Sequence, residues 1–306
     1  MNTESERLCP LNGNTVNWRR GWGPILILPS LTFVLFPPTW PPWGLMWALA
    51  VSLYAGCKWL TWRRTPVPQT PLWKHVGYLL FWPGLDAESF LKPCSRDQRR
   101  AFPSGDWVWA STKLLLGLAI LFMGARQVPA EFSYLAGWVG MIGIVTTLHF
   151  GVFHLIACAW RSAGVDAQPL MNRPLASVSV SEFWGRRWNT AFRDLTNRFL
   201  FRPLIARWGA SGSLVAGFAF SGLIHDLVIS VPSRNGYGGP TLFFILQSLA
   251  ILATRSRIGR RVGLRKGIRG WMFTAFTLLL PVGWLFHRSF IHEIVLPFMG
   301  VLRALE

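Results

Sequence analysis

The sequence has few charged residues and very few acidic ones. Charged side chains make up 14% of its 306 residues, and only 13 residues are Asp or Glu. A soluble domain carries nearer a quarter charged residues. Apolar residues make up 51% of the chain, and they form repeated runs of about twenty, the length that crosses a bilayer. These features exclude an ordinary soluble domain and indicate the membrane as the solvent.

Motifs for metal and nucleotide binding are also missing. No CxxC pair occurs among the four cysteines, so neither a zinc site nor a disulfide framework is predicted; they are Cys9, Cys57, Cys94 and Cys158. The chain contains no GxGxxG, GxxxxGK[ST] or HExxH motif. His149 and His154 are about 140° apart around a helix, which makes them a poor metal pair. We therefore predict no metal site and no bound cofactor.

Positive charge is what the sequence has in excess, with a formal net charge of +18. On a soluble face such an excess would indicate nucleic-acid binding. Here the Lys and Arg residues fall in the gaps between apolar runs, as expected for contact with anionic lipid head groups. We therefore predict membrane lipid, and not nucleic acid, as the partner of the basic segments.

The apolar runs predict seven to eight membrane spans. They lie at about 24–42, 43–62, 107–126, 132–160, 212–231, 240–254 and 270–290, with a short one at about 291–302. The segment 75–85 is too short to span and is broken by Pro83-Gly84, so we interpret it as a re-entrant or interfacial piece.

The distribution of basic residues predicts that both termini are cytoplasmic. With an N-in topology, 27 of the 31 Lys and Arg residues lie in inside segments; the exceptions are Arg126, Arg234, Arg288 and, within a span, Lys113. The polar N-terminus lacks the basic region of a cleaved signal peptide, so we expect the first span to be retained. Residues 1–306 are predicted to form a single all-α, multi-pass domain in a bacterial inner membrane or the endoplasmic reticulum.

The cytoplasmic region 161–208 contains a basic amphipathic helix. It is predicted to begin at Ser181, a plausible N-cap. Its apolar positions follow helical steps of three and four, at 184, 188, 192, 195 and 199, with arginines between them. Such a helix either anchors the chain in the head-group layer or lines an entrance for an anionic, long-chain substrate.

His225, in FAFSGLIHDLVIS, is the strongest candidate for chemistry. It lies about 20 Å into the fifth span, where an ionisable group must face a partner or a wet cavity. The alternative is a hydrogen-bonded histidine that joins two helices. Asp226 adds an acid at the same depth. Ser221, one turn earlier, raises the possibility of an acyl-serine, although a membrane serine usually bonds its own i−4 carbonyl.

Several motifs resemble the wax-synthase-like branch of the membrane-bound O-acyltransferase family. They are FWPGLDA at 81–87, HFGVFHLIACAWRSAGVDAQPLMNRPL at 149–175, SVSVSEFWGRRWNTAFRDL at 177–195 and FSGLIHD at 220–226. The likeness covers about residues 75–250, and FWGRRWN followed by a membrane-embedded histidine is its most specific signal. The resemblance implies a multi-helix fold around a tunnel, where acyl-CoA from the cytoplasmic side meets an acyl acceptor that arrives through the lipid.

The resemblance also implies roles for particular residues. His225 becomes the catalytic histidine, which accepts the proton of an alcohol as it attacks the thioester, and Asn189 becomes its polar partner. The implied substrate-binding residues contact the phosphates of CoA or shape the tunnel, and they are Trp184, Arg186, Arg187, Trp188 and Gln247. The sequence departs from the family at two positions: Asp226 stands where relatives often have Glu, and Gln247 where plant relatives often have His.

The implied activity is acyl-CoA-dependent esterification of a long-chain alcohol, which yields a wax ester, with acyl-CoA as a co-substrate and no other cofactor. An alternative within the enzyme class is acylation or acetylation of a sterol, terpenoid or other small hydroxylated compound, which the width of the tunnel would decide. An alternative outside it is a transporter or non-catalytic scaffold. A transporter usually shows charge on several helices and paired inverted halves, and the sequence shows neither.

Overall fold

The computed structural model describes residues 21–66, 70–92 and 105–306, and every regular element in these ranges is helical. This confirms the all-α fold for that part of the chain. The polar N-terminus, residues 1–20, lies outside the described residues and with it Cys9, as does Cys94. The longer helices are α1 (Gly23–Leu35), α2 (Pro42–Arg63), α3 (Gly105–Gln127), α4 (Ala130–Ser162), α5 (Thr190–Ser233), α6 (Gly239–Arg255), α7 (Gly267–Leu285) and α8 (288–301).

Four of the described helices, α3, α4, α5 and α7, are long and apolar enough to cross a membrane. Helices α1 and α6 are apolar but shorter. Large apolar side chains on α3 and α7 are more than half exposed, as a lipid-facing surface requires; examples are Leu115, Leu116, Phe276 and Leu280. The count of seven to eight spans stays a prediction, as does the cytoplasmic placement of the region 161–208.

In the segment 75–85 a helix ends before Pro83-Gly84, while the re-entrant or interfacial placement of the segment stays a prediction. A helix runs from Leu72 to Phe81, and the backbone is extended at Trp82. Lys58 of α2 donates from Nζ to the carbonyl oxygen of Gly84, and its ammonium group lies 3.5 Å from the centre of the Tyr78 ring. Lys58 is therefore buried, although the charge distribution had placed it among the basic residues that flank the spans.

The basic amphipathic segment differs from the prediction in its start. The N-cap is Ser179, whose Oγ accepts a hydrogen bond from the backbone N–H of Glu182 at 3.1 Å. The Glu182 carboxylate in turn accepts from the backbone N–H of Val178 at 2.9 Å. These two hydrogen bonds stabilise a start at Val180, so the prediction of Ser181 as the N-cap was wrong.

The same segment is also interrupted, so the prediction of one continuous helix over it was wrong. A first helical piece, 180–187, ends where Trp188 is extended, and Asn189 has a φ of 41°. Asparagine tolerates this left-handed conformation, and its side chain caps the next helix. That next helix is α5, which continues to Ser233 with a bend at Gly209, where φ is 64°. The backbone of Gly209, whose ψ is 179°, is not helical, so within α5 it separates the amphipathic segment from the predicted fifth span.

Helices α5 and α6 are in close contact at Gly222. A Cβ atom added there would lie 2.5 Å from the Cα atom of Thr241, so the two backbones can make this contact only because residue 222 is glycine. Close crossings of this kind are typical of small residues between membrane helices. The crossing lies one turn from His225 and so sets the distance between His225 and the side chains of α6.

We predict that Gly222→Ala lowers the stability of the protein, because an added methyl group forces the two backbones apart. Overpacking of this kind costs about 1–3 kcal/mol. The matched control is Gly217→Ala on the same helix, where an added Cβ meets nothing within 4 Å. The apparent melting temperature of the purified protein in detergent measures both. Equal melting temperatures for the two variants would contradict the account of the crossing.

Candidate active site

His225 lies where the regular helical part of α5 ends. The α-helical stretch Arg202–His225 is followed by a π-helical turn, Asp226–Ser230. Single π-helical turns inside α-helices frequently occur at functional sites. The structure therefore places His225 at a local irregularity of the helix and not within a uniform span.

One hydrogen bond orients the His225 ring. Its Nδ1 atom lies 2.7 Å from the backbone carbonyl oxygen of Ser221. A carbonyl oxygen can only accept, so Nδ1 carries a hydrogen, and in the neutral ring the other nitrogen, Nε2, then has the lone pair. Nε2 makes no hydrogen bond within the described residues. In its neutral form the ring therefore has a free proton-accepting nitrogen.

The surroundings of the His225 ring are aromatic. Phe244 of α6 packs against it with ring centres 4.5 Å apart. Trp184 and Phe218 contact the other sides of Phe244, at 5.3 Å and 6.5 Å between ring centres. These groups exclude water on that side of the imidazole, and electrostatic interactions are stronger in such a medium than in water.

Gln247 joins three elements around this aromatic cluster. Its Oε1 atom accepts from the indole N–H of Trp184 at 3.4 Å, and its Nε2 atom donates to the carbonyl oxygen of Thr277 in α7 at 2.8 Å. The Gln247 side chain is fully buried. Both ends of its amide are therefore used within the protein, where they hold Trp184 and α7 against α6.

Asp226 ties the start of α6 to α5. One carboxylate oxygen accepts from the Ser230 hydroxyl at 2.9 Å and from the backbone N–H of Gly238 at 2.8 Å. The other accepts from the backbone N–H of Thr241 at 3.1 Å and from the Thr241 hydroxyl. Asp226 thus caps α6 from outside that helix, next to its positive end. A cap supplied by a residue twelve positions earlier leaves no local sequence signal.

Asn189 starts the helix that leads to His225. Its Oδ1 atom accepts from the backbone N–H of Phe192 at 3.3 Å, and its own backbone N–H donates to the sulfur of Met171 at 3.2 Å. The side-chain amide nitrogen makes no hydrogen bond in the part of the chain that the structure describes. No hydrogen bond or ring contact joins Asn189 to His225 there either, so their pairing stays a prediction.

The two tryptophans of FWGRRWN point to different neighbours. Trp184 meets the cluster around Phe244, as described above. Trp188 stacks on Phe183, with ring centres 5.5 Å apart, and contacts Phe150 of α4 at 6.0 Å. The segment 183–188 therefore packs between α4 on one side and α5 and α6 on the other.

The two arginines of FWGRRWN have different environments. Arg187 donates from Nε and Nη2 to the Glu182 carboxylate, at 2.8 Å and 2.6 Å, and from Nη1 to the carbonyl oxygens of Asn172 and Arg173. Its guanidinium group is therefore occupied in holding the preceding loop. Arg186 is exposed and makes no hydrogen bond or ion pair with the described residues.

Ser221 contributes its backbone and not its hydroxyl to the site. The bond to His225 comes from the Ser221 carbonyl oxygen, and within the described ranges no hydrogen bond joins the Ser221 hydroxyl to the imidazole. The arrangement needed for the histidine to activate a serine nucleophile is therefore not formed here.

A groove of about 570 Å³ lies between α5 and α6, with Asp226 and Thr241 among its lining residues. Most of the lining is apolar and includes Leu223 and Leu227. His225 stands midway between these two leucines in sequence, about 200° around the helix from each. The groove is therefore on the opposite face of α5 from the His225 ring.

The described helices and this site together define a helical membrane protein that holds a histidine among aromatic side chains. Comparison with known sequences shows similarity to a family. The sequence profile described as "Membrane bound O-acyl transferase family" matches residues 167–246. This range contains FWGRRWN and His225 and ends one residue before Gln247.

Curated relatives point to the same family. The long-chain-alcohol O-fatty-acyltransferase of Simmondsia chinensis is 25% identical over 210 residues, which cover 63% of this chain and 59% of that protein. The probable long-chain-alcohol O-fatty-acyltransferase 2 of Arabidopsis thaliana is 28% identical over 211 residues, 63% of this chain and 61% of its own. The chain thus spans about three fifths of these relatives. Together with the profile match, they confirm the resemblance to the wax-synthase-like branch of the membrane-bound O-acyltransferases.

Proposed function

We propose that this protein is an acyl-CoA-dependent O-acyltransferase that esterifies a long-chain alcohol, with His225 as the general base. The observation that carries the proposal is the bond from His225 Nδ1 to the Ser221 carbonyl oxygen, because it leaves Nε2 able to accept a proton. The printed names of the relatives in Simmondsia chinensis and Arabidopsis thaliana support a long-chain alcohol as the acceptor.

The proposed reaction is a direct transfer. The alcohol oxygen attacks the carbonyl carbon of the thioester while His225 Nε2 takes the hydroxyl proton, and negative charge develops on the carbonyl oxygen. The carbon–sulfur bond then breaks as the ester carbonyl re-forms, and the imidazolium returns the proton to the departing thiolate. Products are the ester and free CoA, and no acyl group is attached to Ser221, whose hydroxyl makes no bond to the imidazole.

Asn189 is proposed to stabilise the negative charge on the carbonyl oxygen. Its Oδ1 atom is turned to Phe192 as a helix cap, which leaves the side-chain amide N–H groups as donors. An amide that is already held by its other end loses little freedom when it binds an oxyanion, and one such donor is worth about 2.7–4 kcal/mol in comparable sites.

The remaining residues of FWGRRWN are proposed to form the acyl-CoA site. Arg186 is the residue assigned to the CoA phosphates, since its side chain is exposed while Arg187 is held by Glu182. Trp184 and Trp188 are proposed to form walls of the acyl tunnel. Gln247 is proposed to act by fixing Trp184, with which it shares a hydrogen bond.

We further propose a multi-pass topology with cytoplasmic N- and C-termini, in a bacterial inner membrane or the endoplasmic reticulum. The excess of Lys and Arg in the proposed inside segments supports this orientation. It would place the exposed Arg186 on the side where acyl-CoA is made available to the enzyme.

We predict that His225→Gln abolishes ester formation from labelled acyl-CoA and 1-hexadecanol by the purified protein, because a glutamine amide cannot take the hydroxyl proton. The matched control is His75→Gln, at a histidine that accepts a hydrogen bond from Trp62 far along the chain from the site. Both variants should keep the melting temperature of the native protein to within a few degrees. Undiminished ester formation by a folded His225→Gln variant would refute the proposed role.

Asn189→Asp separates the two functions of the Asn189 side chain. Aspartate keeps a cap acceptor for Phe192 and tolerates the left-handed backbone, but it lacks the amide donor. We expect kcat to fall by about 100- to 1000-fold while the melting temperature is unchanged. The measurement is steady-state kinetics with acyl-CoA and alcohol both varied. A variant with the native kcat would remove Asn189 from the reaction.

A further inference from the structure

The groove between α5 and α6 is more polar at one end than at the other. Near the loop that joins the two helices its lining includes two polar side chains, Tyr237 and Thr241. Further from this loop the lining is apolar and includes Leu223 and Ile245. The lining on α5 extends from Leu223 to Val231, or about 12 Å along the helix. A groove of this kind matches an amphiphile with one small polar group on an apolar chain.

The groove opens outward from the helix pair. Leu223 of α5 and Leu242 of α6, which both line it, are exposed. Helix α5 is long and apolar enough to cross a membrane, so these exposed leucines face the surroundings of a membrane helix. A molecule dissolved in the bilayer therefore reaches the groove without passing through the protein. The volume of about 570 Å³ lies in the range of small-molecule sites.

The charge of the lining favours a neutral polar group. Asp226 lines the groove, and no Lys or Arg of the described residues is among the lining side chains. The phosphate of a phospholipid or the carboxylate of a fatty acid would meet a like charge there, which is unfavourable. A hydroxyl group carries no charge and meets no such repulsion. Among single-chain amphiphiles, the groove therefore suits an alcohol better than a fatty acid.

Tyr237 offers a hydrogen-bond partner for that hydroxyl group. Its side chain lines the groove and is 64% exposed, and its own hydroxyl makes no hydrogen bond with the described residues. A phenolic hydroxyl can both donate and accept, as the hydroxyl of an alcohol can. In an apolar medium a polar group without a partner is costly, so a bond between the two hydroxyls favours the bound alcohol.

We infer that this groove is a binding site for a long-chain alcohol, with the hydroxyl group at Tyr237 and the chain along Leu223 and Ile245. The inference rests on the proposed function, which makes such an alcohol the acyl acceptor. The site is separate from the catalytic centre, because the His225 ring lies on the opposite face of the same turn of α5. An alcohol bound there is held at the depth of the proposed base without contacting it.

The test is photolabelling of the full chain in phosphatidylcholine nanodiscs with a diazirine analogue of 1-hexadecanol, in the absence of acyl-CoA. We expect labelling at Leu242, which excess 1-hexadecanol suppresses and which a matched diazirine fatty acid does not reproduce. Leu223→Trp and Ile245→Trp fill the groove from its two helices. Each should lower the labelling at Leu242 at least about tenfold, because a pocket that lacks room for even one methylene group discriminates by such a factor.

The controls separate this site from general contact with lipid and from the proposed catalysis. Leu116→Trp makes the same change at an exposed leucine of α3 and should be labelled at Leu242 like the native protein. The inference is wrong if 1-hexadecanol does not suppress the labelling, if the fatty acid analogue labels Leu242 equally, or if Leu223→Trp is labelled like Leu116→Trp. Because labelling needs no turnover, these outcomes leave the role of His225 untouched. Labelling as expected in a protein that forms no ester would refute the proposed function alone.

Discussion

The hydrogen bond from His225 Nδ1 to the Ser221 carbonyl oxygen is the constraint on which the proposed chemistry depends. In many enzymes a carboxylate holds the catalytic histidine in the required tautomer. Here the backbone of the same helix does so, one turn before the ring. The neighbouring acid, Asp226, is not available for that task because its carboxylate already accepts four hydrogen bonds. The site therefore needs no buried charge beside the imidazole, which a membrane interior disfavours.

The remaining contacts place other groups around this fixed ring. Gly222 lets α6 approach α5 closely, and the Asp226 carboxylate anchors the first turn of α6. Phe244, less than two turns further along α6, packs against the imidazole. Gln247 of α6 also fixes the position of Trp184, because its Oε1 atom accepts a hydrogen bond from the indole N–H. Asp226 and Gln247, the two positions at which the resemblance implies a departure from the family, both have hydrogen-bond partners in the structure.

The sequence was sufficient for properties that depend on composition and local pattern. The apolar helices α3 and α4 and the end of a helix before Pro83-Gly84 followed from hydropathy and helix breakers. It was insufficient where a distant partner decides the outcome. The cap of α6 by Asp226 spans twelve residues, Lys58 is buried by a carbonyl group 26 residues away, and the left-handed Asn189 divides a helix whose apolar periodicity continues across the break.

The proposed role of His225 as the base requires the tautomer with its ring hydrogen on Nδ1, and this tautomer can be measured directly. Nitrogen-15 solid-state NMR on histidine-labelled protein in lipid bilayers, with His225→Gln to assign the resonance by difference, reports which ring nitrogen is protonated. The structure predicts a neutral ring with its hydrogen on Nδ1 and an unprotonated Nε2 that becomes protonated as the pH is lowered. A ring with its hydrogen on Nε2 at neutral pH would contradict the bond to Ser221 and the role of His225 as the base.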